Sequence, residues 1–323
     1  MNANRTCWML ICGLLALGGQ AAAQGLGVER GIDHVATLVR LENFDAEANI
    51  FARLGFSLTA ALQSPAGVEN HLIWMKDRSY LEIDAFTESN DATAPFLDFL
   101  QHHEGGKFYG TAVQDAAAAA TFLTGAGYPN VGPIPAGPLT VVPTGQVVGT
   151  TPLWQEDILT SRIAPDNSTF FLAYDDAEVQ QLFTEAPSLA PRPHPNTVQK
   201  IDTVWLVVAD LDTAIDFYEG LGLAVHSKHK RIAYLGARSA KVSFNNATLT
   251  LLQADGRGMA ADFAADRGEG IMGVSLKAGN LQTARNFANH ATHSNLPTYT
   301  YQGRERFLIP ASATHGLAIE MVE

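Results

Sequence analysis

The sequence predicts an α+β fold of four βαβββ modules, paired into two halves that each form a curved mixed sheet. Three observations carry this expectation. The segment GIDHVATLVRL (Gly31 to Leu41) returns as KIDTVWLVVADL (Lys200 to Leu211), placing Asp33 and Asp202 169 residues apart, 202 minus 33. Each copy is followed by a helical stretch ending in Leu-Gly, and self-similarity at a fixed distance is the mark of a repeated structural unit. Between the copies lies APSLAPRPHP (Ala186 to Pro195), whose four prolines cannot donate to a regular ladder and which reads as a linker.

In module one, IDHVATLV alternates as a strand does, and DAEANIFARLGF puts Ala46, Ile50, Phe51 and Leu54 on one helical face before Gly55 stops the helix. HLIWM and YLEIDAF follow as apolar strands around the turn Lys76-Asp77-Arg78-Ser79. Module two takes its first strand and helix from YGTAVQDAAAAATFLTGAGY and its closing hairpin from LTSRIA and STFFLAY, with the Pro/Gly-rich Pro129 to Pro152 expected as a loop. Module three repeats module one, with Asp210 or Asp212 as helix N-cap and a hairpin around Asn245-Asn246. In module four, GIMGVSLKAGNL begins a strand and helix, and GLAIEMV closes the unit. Counting supports the alignment: His34 to Glu82 is 48 positions, Thr203 to Thr250 is 47, and Gly273 to Glu320 is 47. The expected organisation is a first half over 24–185, a linker over 186–196 and a second half over 197–323.

Residues 1–23 have the three-part form of a secretory signal: a charged start, the apolar run Trp8 to Leu17, and small residues before an expected cleavage after Ala23. The run is shorter than the roughly 20 residues a bilayer requires, so the mature chain is expected to be periplasmic or secreted, without stable membrane insertion. Cys7 and Cys12 both fall in this segment, which leaves no thiol for disulfides, nucleophilic catalysis or metal binding after cleavage. A net charge of −12 disfavours nucleic acid, and HSKHKR (His226 to Arg231), the strongest basic run, reads as a solvated turn.

The paired modules, opening on IDHV and closing on YLEI, resemble the vicinal oxygen chelate superfamily, which includes glyoxalase I, extradiol dioxygenases and bleomycin-resistance proteins. The first half is similar to the glyoxalase-like domain. The resemblance implies that first and last strands of paired modules supply the ligands of one divalent ion, which polarises substrate oxygens. Carried over by position, module one offers His34 and Glu82 as metal ligands, with Glu82 also the catalytic carboxylate. His71, Asp84 and Trp74 are the candidate substrate-binding residues, Asp84 because it shares a strand face with Glu82. Module two offers Phe108 or Gly110 and Phe171 or Leu172, none of which binds metal. Modules three and four offer Thr203, Thr250, Gly273 and Glu320, so the second half resembles a metal-free copy, and the extradiol pattern is rejected there. One divalent ion of unspecified identity, or none, is therefore expected.

Other polar motifs have plainer readings. His102-His103-Glu104 suits a surface helix end, and His290 and His293 an exposed helix. Asn167 and Asn246 match the glycosylation pattern but sit where turns favour Asn. Two function classes stay open. One is an exported metal-dependent lyase or isomerase acting on a small oxygenated molecule; the other is a metal-free protein that binds or sequesters a small molecule. A homodimer is left open.

Overall fold

The computed structural model describes residues 25–91, 93–149, 152–160 and 169–323. The expected signal, both cysteines and Asn167 lie outside the described residues. So does most of LTSRIA.

Module one runs β1 (Val28–Leu38), α1 (Phe44–Arg53), β2 (Leu62–Gln63), β3 (Val68–Trp74) and β4 (Tyr80–Phe86), and α2 (Ala94–His102) leads onward. Module two contains β5 (Gly105–Val113), α3 (Ala116–Gly125), β6 (Asn130–Ala136), β7 (Leu139–Val141), β8 (Gln146–Val148), β9 (Trp154–Leu159) and β10 (Thr169–Tyr174), followed by α4 (Asp176–Glu185). The second half comprises β11 (Val198–Val207), α5 (Leu211–Gly220), β12 (Ala224–Ile232), β13 (Ala237–Ser243), β14 (Thr248–Ala254) and α6 (Met259–Arg267), then β15 (Gly270–Ala278), α7 (Leu281–Thr292), β16 (Thr298–Tyr301), β17 (Arg304–Ile309) and β18 (Ala318–Val322). Two curved mixed sheets result, ordered β6-β9-β10-β5-β1-β4-β3-β2-β7-β8 and β12-β13-β14-β11-β15-β18-β17-β16. In each, the first strands of two modules pair antiparallel at the centre, β1 with β5 and β11 with β15.

Two expectations are corrected. The Pro129 to Pro152 segment is not a loop, because it forms β6 at one sheet edge and the β7–β8 hairpin, which pairs with β2 at the other. Pro133 and Pro135 are tolerated because an edge strand has one side without a ladder partner. HSKHKR belongs to the exposed edge strand β12 instead of a turn. Residues of the segment expected as a linker contact the first half: Asn196 is fully buried and donates to the Leu54 carbonyl at 3.0 Å, and His194 Nδ1 accepts from the Ser57 amide at 3.0 Å.

Helix α5 is capped by Asp210, which accepts from the Thr213 amide at 2.7 Å, an interaction typically contributing about 1 kcal/mol. The two halves share one core. Tyr109 and Tyr218 meet through their hydroxyls at 2.9 Å in its interior. Asn246 bridges the halves, accepting from the Ile32 amide at 3.0 Å and donating to the Ile32 carbonyl at 2.7 Å, so its amide is engaged in a packing role.

The buried face of α1 is Phe44, Glu47 and Phe51, with Ala46 exposed. Glu47 is fully buried, with Oε2 2.7 Å from His315 Nδ1 of the second half. Burial, and secondarily the Glu104 carboxylate, push its pKa up to about 8. A carboxyl whose folded pKa is raised stabilises the fold most below its unfolded pKa, and that contribution is lost as pH rises through the folded value. Stability should therefore fall between about pH 5 and pH 9, by on the order of a few kcal/mol from this group. In Glu47→Gln that drop should shrink in denaturant melts; an unchanged pH profile would contradict the assignment.

Candidate functional site

His34, Ala36 and Leu38 of β1 share a sheet face with Tyr80, Glu82 and Asp84 of β4, because the parallel register sets His34 against Tyr80 and Ala36 against Glu82. The antiparallel register sets Trp74 opposite Tyr80, Leu72 opposite Glu82 and Asn70 opposite Asp84. Alternation then puts these β3 side chains on the same face. A register shift in the β1–β5 pairing between Ile32 and His34 brackets Asp33, a bulge that lets two neighbouring polar residues work at one site.

His34 is buried, with Nε2 3.6 Å from Glu82 Oε2 and Nδ1 3.8 Å from Asp33 Oδ2. Both separations exceed a hydrogen bond. Neither ring nitrogen has a hydrogen-bond partner among the described residues. The imidazole stacks on Tyr80 at 4.6 Å and 21°, with Phe170 at 5.3 Å. Opposite it stands Gly110, where an added Cβ would come within 2.5 Å of His34 Cε1. A side chain there would collide with the ring.

Asp33 accepts from the Tyr174 hydroxyl at 2.9 Å, and that hydroxyl lies 3.2 Å from the Tyr80 hydroxyl. Asn70 donates to Glu82 Oε1 at 2.6 Å. Burial opposes protonation of His34, yet Asp33, Glu82 and Glu156 outweigh it and hold its pKa above the ordinary value. Burial raises the pKa of Glu82 against the opposing pull of His34. Asp84 is held well above the usual carboxylate range by burial and by Glu82. Two adjacent buried carboxyls beside one imidazole thus favour His34 charged and at least one carboxyl protonated.

Of the sequence-predicted residues, His34, Glu82, Asp84 and Trp74 come together on this face. Trp74 Nε1 and Asp84 Oδ1 are buried without hydrogen-bond partners among the described residues. His71 does not join them: it stands opposite Ile83 on the other face, stacked on Phe44 at 4.9 Å, with Nδ1 2.9 Å from the Thr59 carbonyl oxygen. Sequence reasoning missed Glu156, whereas Trp154, with Trp74 and Tyr80, already read as a possible aromatic lining. Trp154 Nε1 donates to Glu156 Oε1 at 2.6 Å, and burial raises the pKa of Glu156. The pairing of Leu172 with Glu156 and of Tyr174 with Trp154 places both on β9 beside the site.

The register also settles module two. Ala36 faces Phe108 and Phe170 faces Gly110, so the pseudo-twofold sets Phe108 and Phe170 where module one has His34 and Glu82. The last-strand position is therefore Phe170, not Phe171 or Leu172. Among the described residues no three His, Cys, Asp or Glu side chains are grouped to hold a metal. His34 and Glu82 are two donors, whereas a catalytic zinc ion uses three protein ligands. The donor set does not fit such an ion.

In the second half, Glu320 is fully buried and its carboxylate is consumed by protein donors. Ser275 Oγ donates at 2.6 Å, Tyr234 at 3.1 Å, and Tyr299 and Arg306 also bind it. It has no free lone pair facing a ligand.

This architecture is that of a vicinal oxygen chelate protein. Residues 32–214, more than half of the chain, match the sequence profile described as the glyoxalase-like domain, and the chain belongs to that family. No curated protein matches the sequence. Among solved structures, the chain is similar to a hypothetical protein from Staphylococcus aureus, with 11% identity over 90% of this chain and 97% of that one and a TM-score of 0.56. A mutant of 4-hydroxymandelate synthase from Streptomyces coelicolor shows 12% identity over 91% and 92%, with a TM-score of 0.56. A fusion of a xylose isomerase-like TIM barrel with 4-hydroxyphenylpyruvate dioxygenase shows 15% identity over 92% of this chain and 49% of that one, with a TM-score of 0.58. These likenesses establish the fold.

Proposed function

We propose that the concave face of the first half is the active site of an isomerase- or lyase-type enzyme. It acts on a small molecule bearing an α-hydroxy or α-keto carbonyl, by proton transfer between Glu82, His34 and substrate. The observation that carries this reading is the buried His34, both of whose ring nitrogens lack hydrogen-bond partners among the described residues while the Glu82 carboxyl stands 3.6 Å away. An imidazolium held charged by its neighbours supplies to a carbonyl oxygen the polarisation that relatives are implied to obtain from a metal.

The chemistry needs two groups of opposite role. Glu82, oriented by Asn70, accepts the proton from the carbon next to the carbonyl as the C–H bond breaks. That electron pair becomes the new C=C bond, and the carbonyl π pair moves to oxygen, where His34 delivers a proton. Reversal from the other face, or loss of a β-substituent, completes isomerisation or elimination. The raised pKa of Glu82 brings it nearer neutrality, where a general base works best. The Asp33 carboxylate helps keep His34 charged.

A second reading, a metal-free binding protein, is favoured by the rings of Trp74, Tyr80, Trp154 and Phe170 around the polar centre. We also infer that the protein works outside the cytoplasm, on the form of residues 1–23. Intact mass of protein from the periplasmic or culture fraction should correspond to a chain beginning at Gln24, and retention of residues 1–23 would refute export.

The catalytic reading is tested by NMR detection of α-proton exchange into deuterated water across a panel of α-hydroxy and α-keto acids. His34→Ala and Glu82→Gln should each slow exchange at least about 100-fold, the usual contribution of a general acid or base. Stoichiometric binding with no exchange in wild type would favour the binding-protein reading. Activity abolished by a chelator and restored by a divalent ion would contradict the proposed mechanism.

A further inference from the structure

The two concave faces carry opposite charge. The first presents Asp33, Glu82, Asp84 and Glu156, whereas the second encloses a cavity of about 370 Å³ lined by Lys200, Lys241, Arg304 and Arg306 with Asp202 as its acidic residue. That volume lies within the range typical of small-molecule pockets.

Pairing within this wall is incomplete. Arg306 Nη1 is 2.5 Å from Glu320 Oε2, and Arg304 Nη1 is 3.1 Å from Asp202 Oδ2, so two positive charges are matched. Lys200 Nζ donates to the Asn246 carbonyl at 2.8 Å and has no carboxylate partner among the described residues. Lys241, half-buried on β13 opposite Thr250, makes no ion pair or hydrogen bond among the described residues. Burial lowers its pKa, and the Arg306 and Lys230 charges lower it further. Arg306 is itself only 7% exposed, and its buried Nε has no partner. Its guanidinium lies 5.3 Å over the Tyr301 ring.

A half-buried ammonium beside other cations, without an ion pair and with only the already paired Asp202 as a favourable charge nearby, is costly to maintain without function. An oxyanion would relieve it, accepting from Lys241, Lys200 and the Arg306 Nε–H. Thr203 and Thr250 supply further donors on the wall, and Trp205 and Tyr301 supply flat apolar surface for a ring.

We propose that the cavity of the second half is a binding site for a small organic oxyanion, a carboxylate or phosphate monoester attached to a planar apolar group. The site is separate from the His34 site and does not depend on its chemistry. The sequence suggested a metal-free copy, because the positions aligned with metal ligands hold Thr203, Thr250 and Gly273. Its cationic residues come instead from β11, β13 and β17, outside those positions.

The test is isothermal titration of the full protein with phenyl phosphate, benzoate and the neutral analogue benzyl alcohol. One or both anions should bind and benzyl alcohol should not; preference between the two anions identifies the phosphate or carboxylate source. Lys241→Met should weaken anion binding about tenfold or more, and Lys241→Arg should restore most of it, since one charge-assisted hydrogen bond contributes roughly 1.5–3 kcal/mol. Raising the salt concentration should weaken binding. Circular dichroism would confirm that Lys241→Met is folded, and Lys200→Met provides a second variant expected to weaken binding. His34→Ala should leave anion affinity unaltered. Equal binding of benzyl alcohol, no binding of either anion, unaltered affinity in both lysine variants, or loss in His34→Ala would overturn the proposal.

Discussion

The central antiparallel junction of each sheet determines what the concave face contains. His34 lies opposite Gly110 and Ala36 opposite Phe108, and this register places His34, Glu82 and Asp84 on one face while filling the module-two positions with phenylalanine. A slip of one residue would exchange the two faces of a strand, turning His34 toward the core and Val35 toward the site. The register is secured by burial: Ile32, Val35, Ile73, Leu81 and Ile83 are essentially inaccessible to water. Burying an aliphatic side chain of this size contributes about 1.5–3 kcal/mol. Asn246 of the second half adds two hydrogen bonds to Ile32, just before the bulge at Asp33. The second half thereby braces the strand that carries His34.

The same junction in the second half produces a different electrostatic result. Thr203 pairs with Ser275, and Glu320 lies beside Ser275. There the buried carboxylate is saturated by Ser275, Tyr234, Tyr299 and Arg306, so its burial is compensated within the protein. In the first half, Glu82 is only partly satisfied and Asp84 retains an unpaired oxygen. Unsatisfied buried polar atoms cost about 1–3 kcal/mol each, and a fold tolerates several in one place where a ligand completes them. The contrast separates a structural carboxylate from reactive ones.

Much of this was legible in the sequence because it rests on spacing. The intervals from His34 to Glu82 and from Gly273 to Glu320, 48 and 47 positions, reflect one module length, and the repeat exposed the two-half architecture. The failures have local causes. His71 was drawn to the site by its residue type, but the register set by the Lys76 to Ser79 turn puts it opposite Ile83 and hence on the helix side. Glu156 follows a segment whose prolines read as a loop, since proline composition does not distinguish a loop from an edge strand. The apolar spacing of α1 suggested a face through Ala46, but the buried face runs through Glu47, which packs beside His315 of the second half, far away in the chain. The cationic cavity escaped notice because its charges lie on three strands of two modules, with no motif linking them.

The central claim is that His34 is kept protonated by Asp33, Glu82 and Glu156 despite its burial. An NMR titration of the His34 ring in wild type and Asp33→Asn tests this most directly. The account predicts a wild-type pKa above that of an exposed histidine, lowered in Asp33→Asn, because removing a neighbouring negative charge disfavours the imidazolium. A His34 that is neutral throughout the neutral range in wild type, with no response to Asp33→Asn, would contradict it.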